Sequence, residues 1–260
     1  PWLWSTPASA RTVPEPHPSG RMPELAPTLV KNDHPEGETE NHSRVHLQPT
    51  PTMNFEHPEV QVFLKNVNIG ANSRENVVRL YYAVRDSIRF DPYTIELSVE
   101  GLRASTTIAA GRGWCVSKAI LLSALCRAVG IPARLGFADV RNHLSTERMR
   151  KLMQSDVFVW HGYSSILLDQ KWIKATPAFN LELCQRFGLK SLEFDGTEDS
   201  IYHPFDLEGR RHMEYLTLRG EFTDVPIAEI EESFRIEYKL SSSWNRADFE
   251  EEVKQETRQH

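Results

Sequence analysis

The segment from Cys115 to Val129 constrains the fold more than any other part of this sequence. Its spacing is helical, yet apolar residues cover nearly every side of the helix. The clearly polar residues within it are Ser117, Lys118, Ser123 and Arg127. A helix of this kind has to be buried inside a fold, and Gly130 with Pro132 predicts its end. We therefore expect a globular domain built around this helix.

Shorter periodic segments flank the buried helix. Apolar residues between Ser73 and Ile88 recur at spacings of four, three and four, which predicts an amphipathic helix closed by Asp91-Pro92. Further helices are predicted near 58–67, over 146–153 and 181–187, and from 226 to about 238. Strands are predicted over 133–140, 157–168, 172–176 and around 215–219. The mixture predicts one α+β domain spanning residues 53–240.

The two ends of the chain differ from this middle part. Residues 1–52 hold 10 of the 16 prolines and show no sustained apolar period, which predicts a Pro-rich, disordered extension. The first structured pattern opens at Met53, so the extension is interpreted as a natural tail or an upstream leader. Residues 241–260 are predicted to form a charged C-terminal tail.

Composition narrows the class of function. There are 30 Lys+Arg against 36 Asp+Glu, a net charge of −6, so we expect no nucleic-acid partner. No apolar run, 119–122 included, exceeds five residues, far below the roughly 20 residues of a membrane-spanning helix, so we expect no membrane partner. Three cysteines cannot close a disulfide framework, and no signal-peptide pattern is visible, which favours a cytoplasmic protein. No pattern predicts an oligomeric state.

Cys115 is the candidate nucleophile. It opens the buried helix directly after the Gly111-Arg112-Gly113 loop. The helix dipole and the free N–H groups of the first turn favour a thiolate, so we expect a lowered pKa for Cys115. The backbone N–H of Cys115 is also a candidate donor to an oxyanion. A buried, inert cysteine is the alternative, and it is the favoured interpretation for Cys126.

His161 is the candidate base. It lies in an apolar, aromatic strand 46 residues after Cys115, where a histidine is costly unless something uses it. A hydrogen-bonded core histidine is the alternative, but a cysteine nucleophile needs a base nearby. His203 and His212 have no cysteine or carboxylate at zinc-ligand spacing, so no metal site is predicted.

Together these residues resemble the core signature of the transglutaminase-like superfamily. The resemblance rests on Gly113-Trp114-Cys115-Val116-Ser117-Lys118-Ala119, Arg127-Ala128, Gly130-Ile131-Pro132-Ala133-Arg134, His161 and Trp172. It covers residues 105–180. It implies a papain-like α+β fold, in which a buried helix with an N-terminal cysteine packs on an antiparallel β-sheet. It also implies a Cys115–His161 pair that requires no cofactor.

The third catalytic position departs from the family pattern. The family usually has aspartate four residues after the tryptophan, and here Thr176 occupies that position. A hydroxyl can accept a hydrogen bond from imidazole, but it does not stabilise imidazolium as a carboxylate does. The candidates for orienting His161 are Thr176, Asn180, Asp139 and Asp169, and the sequence does not choose among them.

The expected activity is acyl transfer by a cysteine nucleophile. Cys115 attacks a peptide, amide or ester carbonyl, His161 carries the proton, and water hydrolyses the acyl-enzyme. Transamidation of the transglutaminase type is one alternative, an inactive peptide-binding module is a second, and a purely structural domain is a third. We expect the specificity pocket to be built by residues 90–107 and by the segment after Asn180.

Overall fold

The computed structural model describes residues 43–142, 146–201, 213–238 and 249–257. The helices are α1 (Pro58–Lys65), α2 (Ser73–Ser87), α3 (Val99–Leu102), α4 (Ala104–Ala110), α5 (Cys115–Ala128), α6 (Glu147–Met153), α7 (Leu181–Arg186), α8 (Ile227–Glu237) and α9 (Phe249–Thr257). The strands are β1 (Arg89–Phe90), β2 (Arg112–Gly113), β3 (Ala133–Asn142), β4 (Val157–Leu168), β5 (Lys171–Ala175) and β6 (Met213–Phe222). A short 3-10 helix, Pro92–Thr94, follows β1.

An antiparallel sheet of four strands, in the order β5–β4–β3–β6, supports the buried helix. Strands β1 and β2 form a separate parallel pair directly before α5. The predicted α+β fold with an antiparallel sheet is confirmed. Among the strands, β6 differs from its predicted range, because it begins two residues earlier and ends three residues later.

Helix α5 lies at the centre of the domain. Every residue from Val116 to Arg127 is buried, as the sequence predicts. One side of the helix packs on β3 and β4, and α2 and α4 cover other sides. Both serines inside it are hydrogen-bonded: Ser117 donates to the carbonyl of Trp114 at 3.1 Å, and Ser123 donates to Ser164 of β4 at 3.0 Å.

Lys118 is a buried cation that joins α5 to the end of α2. It is fully buried, and its Nζ donates to the carbonyls of Arg85, at 3.0 Å, and Ile88. These carbonyls belong to the C-terminal end of α2, where the helix dipole is negative. The bonds give the ammonium group partners in an otherwise apolar interior.

Arg127 is the second buried cation of α5. Its Nε donates to the carbonyl of Ala133 at 2.8 Å, and its two terminal nitrogens donate to Gln48 and Thr223 at 2.7 Å each. One guanidinium thus bridges the start of β3, the loop after β6 and the segment before α1. Since all three acceptors are backbone carbonyls, their side chains give no hint of this role.

Residues 43–52 are folded, in contrast to the extension predicted for residues 1–52. They begin with a helical turn at 43–45, and His46 and Thr52 are buried. His46 meets the ring of Trp172 edge-on at 5.5 Å, and Ala104 donates its N–H to the Thr52 carbonyl at 2.9 Å. The composition of residues 43–52 does not predict that they are folded, because hydrogen bonds of their backbone hold them in place. Residues 1–42 lie outside the described residues, so their disorder stays a prediction.

The predicted charged tail, residues 241–260, contains a packed helix. Phe249 and Val253, four residues apart on α9, are buried. The ring of Phe249 lies 5.7 Å from that of Phe90, and the hydroxyl of Tyr93 donates to Glu252 at 2.7 Å. In the sequence, Phe249 and Val253 stand among charged residues, so their helical spacing is difficult to recognise. Residues 239–248 and 258–260 lie outside the described residues.

Burial of Lys118 makes the stability of the fold depend on pH. Burial lowers the pKa of Lys118 from 10.5 to about 7. Between these two pH values the unfolded chain binds more protons at this site than the folded chain, so folding becomes more favourable as pH rises. We expect the free energy of unfolding of the wild type, relative to Lys118→Met, to increase between pH 7 and pH 10.

Urea unfolding at fixed pH values measures this difference. Lys65→Met is the matched control, because Lys65 is an exposed lysine at the end of α1, and its difference from the wild type should not vary with pH. A Lys118→Met difference that is equally flat from pH 7 to 10 would contradict the prediction.

Candidate active site

The thiol of Cys115 stands at the start of α5. Cys115 is the first residue of the helix, and Trp114 is its N-cap. The first N–H groups of a helix have no intrahelical acceptor, so several donors lie near the sulfur. Of the three cysteines, Cys115 is partly exposed, whereas Cys126 and Cys184 are buried. The placement of Cys115 agrees with the prediction from sequence.

Gly162 is where α5 and β4 come into close contact. A Cβ atom at Gly162 would lie 2.9 Å from Cα of Val116, so a larger residue would force the helix away from the strand. The backbone N–H of Gly162 is also among the groups that lower the pKa of Cys115. Because Gly162 directly follows His161, this contact puts the thiol beside the strand that carries the histidine. The sequence signal was a glycine inside an apolar strand, which marks close backbone approach.

Cys115 and His161 line the same cavity. The volume of this cavity is about 70 Å³. The side chain of His161 is buried, and its ring meets that of Tyr215 edge-on at 6.4 Å. The other lining residues that the structure describes are apolar or aromatic, and no Asp, Glu, Lys or Arg is among them. The structure thus gathers both predicted residues at one apolar site.

The thiol of Cys115 is less acidic than the sequence predicts. Burial raises the pKa of Cys115 to about 11, while the backbone N–H groups of Gly162, Val116 and Cys115 itself lower it by a smaller amount. The expected lowering of this pKa is therefore wrong. The field of the helix N-terminus acts in the expected direction, but an anion in an apolar cavity loses its hydration. At neutral pH the resting sulfur is a protonated thiol.

Thr176 and Asn180 do not hydrogen-bond to His161. The hydroxyl of Thr176 is buried and has no hydrogen-bond partner in the described part of the chain. Asn180 accepts the backbone N–H of Phe90 at 3.1 Å through its Oδ1 and thereby joins β1 to the start of α7. Neither residue lines the cavity. Asp169, a further candidate, pairs instead with Arg74 at the surface.

Asp139 supports the backbone beside His161 rather than the imidazole. Its Oδ1 accepts the N–H of Trp160 at 3.1 Å and Nε of Arg219 at 2.6 Å, and its Oδ2 accepts Nη2 of Arg219 at 2.9 Å. The guanidinium of Arg219 in turn lies over the indole of Trp160, 4.9 Å from its centre. Asp139 was one of the candidates for orienting His161, and its observed bonds go to these two neighbours.

A β-bulge in β4 sets the direction of His161. Ala138 pairs with His161 and Val140 with Phe158, so two residues of β4 oppose the single residue between them on β3. Trp160, in the bulge, has a φ of 58°, which residues other than glycine seldom adopt. Because the bulge adds one residue, it places both Phe158 and His161 on the same face of the sheet. The ion pair of Asp139 stabilises this strained backbone.

His203 and His212, the two histidines considered above as possible zinc ligands, lie outside the described residues, and so does His143. Across the ranges that the structure covers, no group of three His, Cys, Asp or Glu side chains is placed to hold a metal ion. No helix in those ranges has the length and apolar character needed to cross a membrane.

Comparison with protein families gives one match. The family model of the transglutaminase-like superfamily aligns with residues 64–177. Residues 64–177 form a transglutaminase-like core. The match runs from the end of α1 to just past β5 and includes Cys115, Gly162 and His161, so the resemblance predicted from sequence is confirmed.

Comparison with individual proteins gives more distant likenesses. No curated protein is significantly similar in sequence to this chain. A candidate cysteine protease from Cytophaga hutchinsonii shares 19% identity with a TM-score of 0.45, covering 75% of this chain and 52% of its own. A candidate protease from Parabacteroides distasonis ATCC 8503 shares 15% identity with a TM-score of 0.32, covering 50% of this chain and 25% of its own. The chain thus spans about half the length of the first protein and a quarter of the second.

The contact at Gly162 predicts a large effect of one methyl group. We expect Gly162→Ala to lower the free energy of unfolding by about 1–3 kcal/mol, because the added carbon would overlap the backbone of α5 at Val116. Urea unfolding measures the change. Gly70→Ala is the control, since a Cβ there would meet only Arg79, at 3.6 Å. Equal stabilities for the two variants would contradict the close contact.

The raised pKa predicts how Cys115 reacts with alkylating reagents. Only the thiolate reacts, so the rate of labelling by iodoacetamide should increase about tenfold per pH unit between pH 7 and pH 9. Peptide mapping should find the label on Cys115 before Cys126 or Cys184, because those two are buried. A plateau in the rate below pH 8 would show that the thiol is acidic instead.

Proposed function

We propose that this protein is a cysteine hydrolase that cleaves an amide or ester bond through an acyl-enzyme on Cys115. The observation that carries the proposal is that Cys115, the partly exposed one of the three cysteines, and His161 line one cavity. The transglutaminase-like core over residues 64–177 supports the same class of chemistry.

The first half of the reaction forms the acyl-enzyme. The sulfur of Cys115 attacks the substrate carbonyl and a carbon–sulfur bond forms. Because burial keeps the thiol protonated, its proton passes to the imidazole of His161 during the attack, and His161 acts as a general base. The backbone N–H of Cys115, in the first turn of α5, donates to the oxyanion. His161 then returns the proton to the leaving amine or alcohol as its bond to carbon breaks.

The second half releases the acid product. A water molecule attacks the thioester carbon, His161 accepts its proton, and the carbon–sulfur bond breaks as the proton returns to the sulfur. An amine in place of water would give transamidation. Hydrolysis is favoured because water is always present as an acceptor.

The bulge positions His161 through the main chain. The Asp139–Arg219 ion pair holds the N–H of Trp160, and the strained turn at Trp160 directs the next side chain into the cavity. A Cys–His pair can operate with a weaker orienting group than a serine needs, because a thiol is the more acidic nucleophile.

Trapping the acyl-enzyme tests the proposal. Intact-mass spectrometry of the protein mixed with activated esters should show one acyl adduct, and Cys115→Ala should remove the adduct and lower turnover by at least about 10³-fold. Cys184→Ala is the matched control, since Cys184 is buried and does not line the cavity. An adduct that persists in Cys115→Ala would contradict the assignment of the nucleophile.

The same experiment separates the alternatives. Added hydroxylamine or a primary amine should divert a small share of product if water is the natural acceptor, and most of it if the protein is a transamidase. Saturable peptide binding with no adduct would indicate an inactive binding module. A thiol that reacts only in denaturant would indicate a structural domain.

A further inference from the structure

The walls of the cavity carry information about the substrate. They are built from aromatic and thioether side chains, among them Phe90, Met149, Met153, Phe158, Met213 and Phe249. These come from β1, α6, β4, β6 and α9, so five elements that are distant in sequence converge beside Cys115. Methionine side chains adapt their shape to an apolar ligand, because they are unbranched and polarisable. The composition of the walls indicates a site for an apolar group.

One polar side-chain atom of the lining, the hydroxyl of Tyr238, is already bonded. The hydroxyl of Tyr238, a lining residue, accepts the N–H of Val159 at 2.6 Å and donates to the carbonyl of Val157 at 3.2 Å. A charged or amide-bearing group would have to give up its hydration here without a charged partner among the described lining residues. An apolar group has no such cost.

The size of the cavity limits the length of that group. With a volume of about 70 Å³, the cavity has room for a short hydrocarbon group but not for a long chain. The enclosed space suits the half of the substrate that stays bonded to the sulfur. The leaving half and the incoming water need the exposed side of Cys115.

We propose that the cavity holds a short apolar acyl group, attached to the carbonyl that Cys115 attacks. The inference rests on the function proposed above and names its substrate class. The group is either a straight alkanoyl chain or the side chain of a hydrophobic amino acid, because both present the same hydrocarbon to the cavity.

A series of p-nitrophenyl esters tests the inference on the full chain. We expect kcat/KM to increase by about fourfold per methylene from acetate to hexanoate, after division by the rate of the same ester with free thiol. It should stop rising by the decanoate, because the cavity is full. Norleucine and alanine p-nitroanilides, N-acetylated, form the second arm; a preference confined to one arm identifies the source of the hydrocarbon.

Two variants on one strand localise the effect. Met213→Trp fills the cavity and should lower the hexanoate-to-acetate ratio at least fivefold. Leu218→Trp is the matched control, because Leu218 is 59% exposed on the same strand and should leave the ratio unchanged. Val140→Thr keeps the volume and adds a hydroxyl to the wall, so it should lower the ratio even if the tryptophan variant does not fold.

The outcomes separate this inference from the proposed function. An acyl-enzyme on Cys115 whose rate of formation does not depend on chain length overturns the acyl pocket and leaves the hydrolase intact. Absence of any acyl-enzyme across the series overturns the hydrolase and the pocket with it. A rise with chain length that Met213→Trp and Val140→Thr both leave unchanged also overturns the placement of the acyl group.

Discussion

The contact of α5 with β4 at Gly162 is the constraint on which the rest of the structure depends. A glycine at this position lets the start of α5 pack directly on β4, because a Cβ atom there would lie only 2.9 Å from Cα of Val116. The helix start supplies the thiol and its N–H donors, and the strand supplies the histidine one residue earlier. The reacting groups are thus brought together by backbone packing. The surrounding helices and the sheet hold that packing in place, with Lys118 and Arg127 bonding backbone carbonyls at the two ends of α5.

The bulge at Trp160 adds a second, local constraint. It takes up a backbone conformation that is unfavourable for tryptophan, and the Asp139–Arg219 pair offsets part of that cost. Without the extra residue, the alternation of β4 would turn either Phe158 or His161 to the other face. The Asp139–Arg219 ion pair therefore affects the direction of His161 through the main chain.

The sequence predicts the parts of the fold that follow from periodicity. The apolar helix α5, strand β4 and the residues Cys115 and His161 are all visible there, since each depends on local spacing. The pKa of Cys115 cannot be predicted from local spacing. Burial in a cavity that is lined by residues from many parts of the chain outweighs the local helix dipole. Residues 43–52 and α9 are also missed: backbone carbonyls anchor the first, and two buried residues among charges anchor the second. The bulge depends on pairing across strands, which no single segment reveals.

The protonated state of Cys115 has a consequence for the chemical durability of the protein. Peroxide oxidises the thiolate form of cysteine and reacts slowly with the neutral thiol. A cysteine whose pKa burial raises to about 11 is therefore resistant to conversion to sulfenic acid at neutral pH. The apolar surroundings that keep the sulfur protonated thus also slow its oxidation.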